Sequence, residues 1–137
     1  LTRSTHCFMT IIGIGIDLVH IPRIQSLLER WESRFLERLF TDAEQRQCLT
    51  RSVPYASLAG RFAVKEALLK ALGTGWSGGI AWRDIEVVNA PSGQPIATVH
   101  GRVQTLMNQM GATQILVSLS HDKDYAIAQV ILGGTCQ

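Results

Sequence analysis

The sequence SLAGRFAVKEALLKALGTG, at residues 57–75, decides how the rest of the chain is arranged. Its many alanine and leucine residues are typical of an α-helix, and Gly73 is the residue type that most often follows the end of one. We therefore predict a helix over residues 57–72, followed by a glycine-rich loop. The apolar positions alone would hold this helix in a core, so its charged residues need a further explanation: Arg61, Lys65, Glu66 and Lys70.

Glu66 and Lys70 lie four residues apart and therefore share a face of the predicted helix. One interpretation is an ordinary surface ion pair that stabilises the helix by about 0.3 kcal/mol. The other interpretation rests on Phe62, Ala63 and Leu69, which flank Glu66 and place it at the edge of the core. A carboxylate in that position needs a partner.

Asp17 poses the same problem in the segment IIGIGIDLV at residues 11–19. Its β-branched residues predict a buried strand, and Gly13 and Gly15 indicate a bulge or a close backbone approach. A divalent cation between Asp17 and Glu66 would stabilise both carboxylates, and two hard oxygen ligands favour Mg²⁺ completed by water and substrate phosphate oxygens. Phosphoryl chemistry follows as a hypothesis, with three candidates to neutralise phosphate charge: Lys70, Arg61 and His121.

The segment after this strand predicts an amphipathic helix. Pro22 suits a first helical turn, and Ile24, Leu27, Leu28 and Trp31 recur at helical spacing. Three arginines would lie along one stripe of its other side: Arg23, Arg30 and Arg34. This stripe is either an ordinary solvated helix face or a surface that binds a partner.

The remaining segments predict an α+β fold with a mostly antiparallel sheet. Thr41 and Glu44 have the spacing of a capping box and predict a short helix after them. A hairpin is then predicted from a strand at residues 84–89 and a strand at 95–99, and a helix is predicted at 102–110. Two further strands follow at 114–120 and 125–132, joined by a turn at 121–124.

Composition restricts the function classes. A chain of 137 residues is the size of one domain, assigned to residues 9–137, whereas residues 1–8 lack periodicity and are treated as an N-terminal extension. The net charge of +2 is too small for a general nucleic-acid binder, and no apolar run approaches the ~20 residues that span a bilayer. The three cysteines, Cys7, Cys48 and Cys136, are an odd and scattered set with no CxxC pair that would suggest a zinc or redox site. Reduced thiols in a cytoplasmic protein are therefore expected.

Three blocks of the chain resemble bacterial holo-acyl-carrier-protein synthases, which are single-domain 4′-phosphopantetheinyl transferases. The blocks are GIGIDLVHIPRI at 13–24, AGRFAVKEALLKALGTG at 59–75 and SLSHDKDYAIAQVIL at 118–132. Their order and spacing also match this family. The resemblance implies the family's fold and transfer of 4′-phosphopantetheine from coenzyme A to a serine of an apo acyl carrier protein.

The resemblance also implies roles for individual residues. Asp17 and Glu66 match the family's Mg²⁺ ligands, with Glu66 as our candidate base, and Lys70 matches the lysine near the phosphates. Arg61, Ser120, His121 and the turn at 89–95 match positions that contact coenzyme A, the substrate. Arg23 matches an arginine that faces the carrier protein, whereas Arg30 and Arg34 are added only by helical phase. Family members of this size are homotrimers with active sites between subunits, which the sequence itself does not show.

Two alternatives use the same residues differently. A metal-dependent nuclease would also need acids and a lysine, but such sites place an acid and the lysine two apart on a strand, whereas Glu66 and Lys70 are four apart in a helical sequence. A non-catalytic module could bind an acidic protein through the arginines, but it leaves Asp17, Glu66 and Lys70 unexplained. Only the transferase predicts Mg²⁺-dependent binding of coenzyme A.

Overall fold

The computed structural model describes residues 8–76 and 79–135, and the predicted extension at residues 1–8 falls outside this part except for Phe8. The described elements follow the predicted order, and the α+β fold with antiparallel sheets is confirmed. They are β1 (Met9–His20), α1 (Ile21–Leu39), α2 (Asp42–Leu49), α3 (Tyr55–Leu72), a 3₁₀ turn (Trp82–Asp84), β2 (Ile85–Asn89), β3 (Pro95–Val99), α4 (Gly101–Met110), β4 (Gln114–Asp122) and β5 (Tyr125–Thr135). No helix among them is long and apolar enough to cross a membrane.

The strands form two antiparallel sheets. One has the order β1-β5-β4, and the other is the predicted hairpin of β2 and β3. In β1 the register shifts between Ile11 and Gly13, which is the irregularity that the glycines indicate. Helix α3 packs across the three-stranded sheet and is buried around most of its circumference, as expected of a central helix.

Gly13 and Gly15 set how closely α3 approaches the sheet. A Cβ atom at Gly13 would meet the carbonyl oxygen of Ala71, and one at Gly15 would meet that of Ala67. These two glycines therefore allow β1 to lie directly against the backbone of α3. Residues of β1 alternate between the two faces of the sheet, so Asp17 lies on the same side as Gly15 and faces α3.

A buried ion pair joins α3 to α2 and β2. Lys65 Nζ lies 2.7 Å from Glu44 Oε1, both side chains are fully buried, and Lys65 also donates to the carbonyl oxygen of Leu39 at 2.6 Å. The predicted capping box is present as well, because Thr41 N donates to Glu44 Oε1 and Glu44 N donates to Thr41 Oγ1. Val87 N donates to the other oxygen, Glu44 Oε2, at 3.0 Å. Glu44 thus caps α2 and also connects this helix to α3 and β2.

Two local predictions are wrong. Helix α1 is not regular throughout, since Glu32 has non-helical dihedrals of φ 43° and ψ −121°. Arg34 therefore lies beyond a break, and helical phase counted from Arg23 and Arg30 does not carry over to it. The turn before β5 is also shorter than predicted, because β4 continues to Asp122 and Lys123 takes φ 52° in a tight two-residue turn. His121 is therefore a strand residue.

Candidate active site

Asp17 and Glu66 line one cavity of about 330 Å³, which we call the acidic cavity. Strand β1 contributes Asp17 and helix α3 contributes Glu66, so the close packing of the two elements brings these acids to the same place. Arg23 enters from the first turn of α1, and the apolar wall is formed by Ile24, Leu27 and Phe62. His20 and Tyr125, whose ring centroids lie 5.2 Å apart, complete the rim.

Lys70 connects the helix to the strand. Its Nζ atom lies 3.1 Å from Asp17 Oδ1 and donates to the carbonyl oxygen of Ile16 at 2.9 Å. More than half of the lysine side chain is exposed, so the ammonium group is accessible at the mouth of the site. The ordinary surface ion pair between Glu66 and Lys70 is not present: Lys70 pairs with Asp17, and Glu66 accepts a hydrogen bond from Trp76.

Glu66 is half-buried, and its surroundings perturb its ionisation. Burial raises the pKa of Glu66 above its usual value, an effect that a hydrogen bond from Trp76 opposes and the negative charge of Asp17 reinforces. Lys70 and Arg23 act in the opposite direction on this pKa. The carboxyl group therefore gains from any additional positive charge that enters the cavity.

The donor set fits a magnesium ion. Two carboxylates in one cavity supply hard oxygen ligands, and one of them is partly desolvated with an acidic neighbour. Within residues 8–76 and 79–135, no group of three or more histidine, cysteine, aspartate or glutamate side chains could hold a metal by itself. A site with two protein ligands matches Mg²⁺, which keeps several waters and takes substrate phosphate oxygens into its coordination shell.

Arg61 and His121 lie away from the acidic cavity. Both line a second cavity of about 360 Å³, which we call the basic cavity, and this cavity has no lining residue in common with the acidic one. Asn89, Gly93 and Pro95 of the predicted turn line the basic cavity too, as does Arg51. Ser120 is not in its lining, because adjacent residues of a strand point to opposite faces and Ser120 lies on the exposed one.

Arg61 is held by protein groups. Only 2% of its surface is exposed, and its guanidinium donates to the carbonyl oxygens of Val87 and Ser57, to Ser57 Oγ and to Gln47 Oε1. The observed role of Arg61 is to join α3 to α2 and β2. Contact with a phosphate stays a prediction for this residue.

Sequence reasoning missed three residues near the acidic cavity. His20 and Tyr125 line it, and Trp76 donates its indole N–H to Glu66 Oε1 at 3.3 Å. None of the three stands in a motif with metal-ligand or acid-base spacing. Their proximity to Glu66 is created by the fold, since β5 pairs with β1 and the loop after α3 turns back.

Comparison with known proteins identifies similar chains. The family model described as the 4′-phosphopantetheinyl transferase superfamily matches residues 13–130. The chain is 50% identical over 122 residues to a holo-[acyl-carrier-protein] synthase of Gloeobacter violaceus, covering 88% of this chain and 92% of that one. A protein of the same description from Desulforudis audaxviator is 47% identical, with 90% and 94% covered.

Solved structures show the same likeness. The holo-[acyl-carrier-protein] synthase of Neisseria meningitidis has a TM-score of 0.82 and 31% identity, covering 90% of this chain and 98% of that one. The Helicobacter pylori protein of the same description, solved in complex with coenzyme A, has a TM-score of 0.77 and 34% identity, with 87% and 98% covered.

Proposed function

The chain belongs to the 4′-phosphopantetheinyl transferase superfamily, and from this membership we propose how its own residues perform the reaction of a holo-[acyl-carrier-protein] synthase. The enzyme transfers the 4′-phosphopantetheine group from coenzyme A to a serine of an apo acyl carrier protein. The products are the holo carrier protein and adenosine 3′,5′-bisphosphate. The observation on which the proposed site rests is the meeting of Asp17 and Glu66 at one cavity.

We assign Asp17 and Glu66 as the ligands of a magnesium ion. Their carboxylate oxygens and their common cavity support this assignment, and the predicted Mg²⁺ dependence of the enzyme follows from it. A bound Mg²⁺ would supply positive charge to the pyrophosphate of coenzyme A.

Lys70 is the second source of positive charge. Its salt bridge with Asp17 holds the ammonium group beside the proposed ligands, while its exposed position lets it contact an incoming phosphate. Charge that develops on the leaving group would be stabilised by a preorganised donor of this kind.

The transfer itself needs no covalent enzyme intermediate. The serine hydroxyl oxygen attacks the β-phosphorus of coenzyme A, a new oxygen–phosphorus bond forms, and the bond from that phosphorus to the pyrophosphate bridging oxygen breaks. Glu66 is the proposed acceptor of the serine proton, directly or through water.

The nucleotide end of coenzyme A is proposed to use the basic cavity. Arg51 and His121 line it together with the turn residues, and Arg61 adds its positive charge from behind its hydrogen bonds to protein groups. Ser120 would contact the same substrate from the exposed face of the sheet, so this residue and His121 would have to act from different sides. All three assignments are proposals that follow from family membership.

We further propose that the enzyme is a homotrimer with active sites between subunits. In one protomer the residues assigned to coenzyme A are divided between two cavities with separate linings. The sheet also leaves large apolar side chains uncovered on the face opposite α3: Ile14, Ile16, Leu18, Leu116 and Ile127. An apolar face of this kind marks a protein–protein interface, and contact between copies would cover it and could bring the two cavities together.

The carrier protein is proposed to bind beside the acidic cavity. Arg23 lines this cavity, and Arg30 lies on the same helix before the break, with its guanidinium 5.3 Å from the ring centre of Trp31. Acyl carrier proteins are acidic, so these arginines would steer their approach. Arg34 is assigned to this surface by helical phase alone, and it lies beyond the break at Glu32.

Intact-mass measurement of a purified apo acyl carrier protein tests the function. Incubation with the enzyme, coenzyme A and Mg²⁺ should add one phosphopantetheinyl group to the carrier and release adenosine 3′,5′-bisphosphate. If coenzyme A binds but no carrier protein is modified, the transferase function is contradicted and a binding module is favoured. A cytoplasmic location and a single domain over residues 9–137 complete the proposal.

A further inference from the structure

Trp76 is fixed beside Glu66 by a hydrogen bond from the loop that follows α3. Helix α3 ends at Leu72, and Gly73 follows it in the left-handed conformation with a φ of 76°. Three residues later the indole Nε1 of Trp76 donates to Glu66 Oε1 at 3.3 Å. The indole therefore contacts an acid of the proposed site from a segment that holds none of its assigned residues.

Packing restricts the orientation of this indole. The ring of Trp76 contacts that of Trp82, which in turn stacks on Phe62 with centroids 5.0 Å apart and an interplanar angle of 23°. We call these three rings the aromatic cluster. Phe62 precedes Glu66 by one helical turn and lines the acidic cavity, so the cluster extends along the same face of α3 as Glu66.

The contact has a direct consequence for the carboxylate. An indole has a single N–H donor and no acceptor, so it can only stabilise Glu66 as a hydrogen-bond acceptor. Because Oε1 accepts this hydrogen bond, rotation of the carboxyl group is restricted. Oε2 is the carboxylate oxygen that Trp76 does not contact. A carboxylate oriented before a cation binds loses less rotational freedom when the cation arrives.

We propose that Trp76 is a positioning residue that orients Glu66 for a divalent cation through its indole N–H. This inference depends on the proposed role of Glu66 as a metal ligand. Hydrogen-bonded partners behind the ligands of a metal site commonly decide how well those ligands bind, so the effect should appear in cation affinity.

Trp82 provides a matched control for this role. Replacing Trp76 or Trp82 by phenylalanine removes one indole N–H from the same cluster and keeps an aromatic ring there. Only the indole of Trp76 donates to Glu66. Trp76 is 38% exposed, and the backbone carbonyl of Trp82 that accepts from Lys65 is not altered by a side-chain change, so both variants should fold.

The test is a titration of the metal-free enzyme with Mn²⁺, in which the electron paramagnetic resonance signal of the free ion measures how much Mn²⁺ stays unbound. Thermal unfolding is measured in parallel. Trp76→Phe should weaken Mn²⁺ binding about 10-fold, whereas Trp82→Phe should change it less than about 2-fold. Similar melting temperatures for the two variants would exclude a merely structural effect. Equal Mn²⁺ affinities for Trp76→Phe and the wild type would overturn the inference.

Glu66→Gln separates failure of this inference from failure of the proposed function. Loss of Mn²⁺ binding in Glu66→Gln, together with unchanged binding in Trp76→Phe, would overturn the positioning role and leave the metal assignment intact. Unchanged binding in Glu66→Gln, or no binding by the wild type, would overturn both.

Discussion

Lys70 Nζ lies 3.1 Å from Asp17 Oδ1, which links the central helix to the first strand across 53 residues of sequence. The same ammonium group donates to the backbone carbonyl of Ile16, so its position is fixed by the strand as well as by the acid. Lys70 is thereby held at the edge of the site while more than half of its side chain remains exposed.

Replacing Lys70 by alanine should lower kcat about 100-fold, because a preorganised positive charge near the leaving group is lost. Stability should change by about 1 kcal/mol, since the lysine end of the ion pair is exposed although the Asp17 end is largely buried. Lys70→Arg should recover part of the activity. The exposed turn residue Lys123 supplies the control, and equal kcat values for Lys70→Ala and Lys123→Ala would contradict the assigned role.

Replacing Lys65 by methionine should destabilise the protein by about 3–5 kcal/mol, because Glu44 is then left buried with an unpaired charge. Urea unfolding gives the change in free energy. The control is Arg83→Ala, which removes exposed ion pairs with Glu37 and Asp42 and should cost at most about 1 kcal/mol. Similar losses in the two variants would show that the pair at Glu44 is not an anchor of the fold.

Gly15→Ala should lower the free energy of unfolding by about 3 kcal/mol, because the new Cβ would meet the carbonyl oxygen of Ala67 and force β1 away from α3. Activity should fall with it, since the same contact brings Asp17 to Glu66. Gly60→Ala should have a smaller effect on both, because its Cβ would meet only the end of the Leu119 side chain. A variant at Gly15 with wild-type unfolding and activity would refute this account of the close packing.

Arg23→Glu should raise the KM for the carrier protein and reduce the salt dependence of the rate, because Arg23 lies at the acidic cavity and its charge would be reversed. Arg34→Glu carries the same charge change beyond the break at Glu32 and should have the smaller effect. Steady-state kinetics with varied carrier protein at two salt concentrations measure both. A larger effect at Arg34 would show that the partner binds the far end of α1 instead.

Local sequence patterns predict much of this fold. The alanine and leucine content of α3, the capping box of α2 and the alternating strands are each decided by residues close together in sequence, and each is found. The paired glycines of β1 likewise indicate the close approach that places Asp17. The shared cavity of Asp17 and Glu66 follows from these two elements packing together.

Other features depend on contacts that no local pattern contains. The partner of Lys65 is 21 residues away, and the break at Glu32 lies in a segment of ordinary helix-forming residues. Arg61 sits in a charged helical motif, yet its guanidinium is taken up by acceptors as far away as Val87. The division of the assigned residues between two cavities could not be predicted either, because alternation along β4 and the position of α3 decide it together.

The most direct test of the account is the rate of carrier-protein modification as a function of free Mg²⁺ for the wild type, Asp17→Asn and Glu66→Gln. We expect a saturable Mg²⁺ requirement that a chelator abolishes, and a loss of more than about 100-fold in both variants, since losing a direct ligand should exceed the effect of losing an outer partner. Both variants should stay folded, and Glu66→Gln should lose no stability at neutral pH. The raised pKa of Glu66 means that its charged form is less favourable in the folded state than in the unfolded one. Transfer that proceeds without a divalent cation, or at wild-type rates in both variants, would contradict the account.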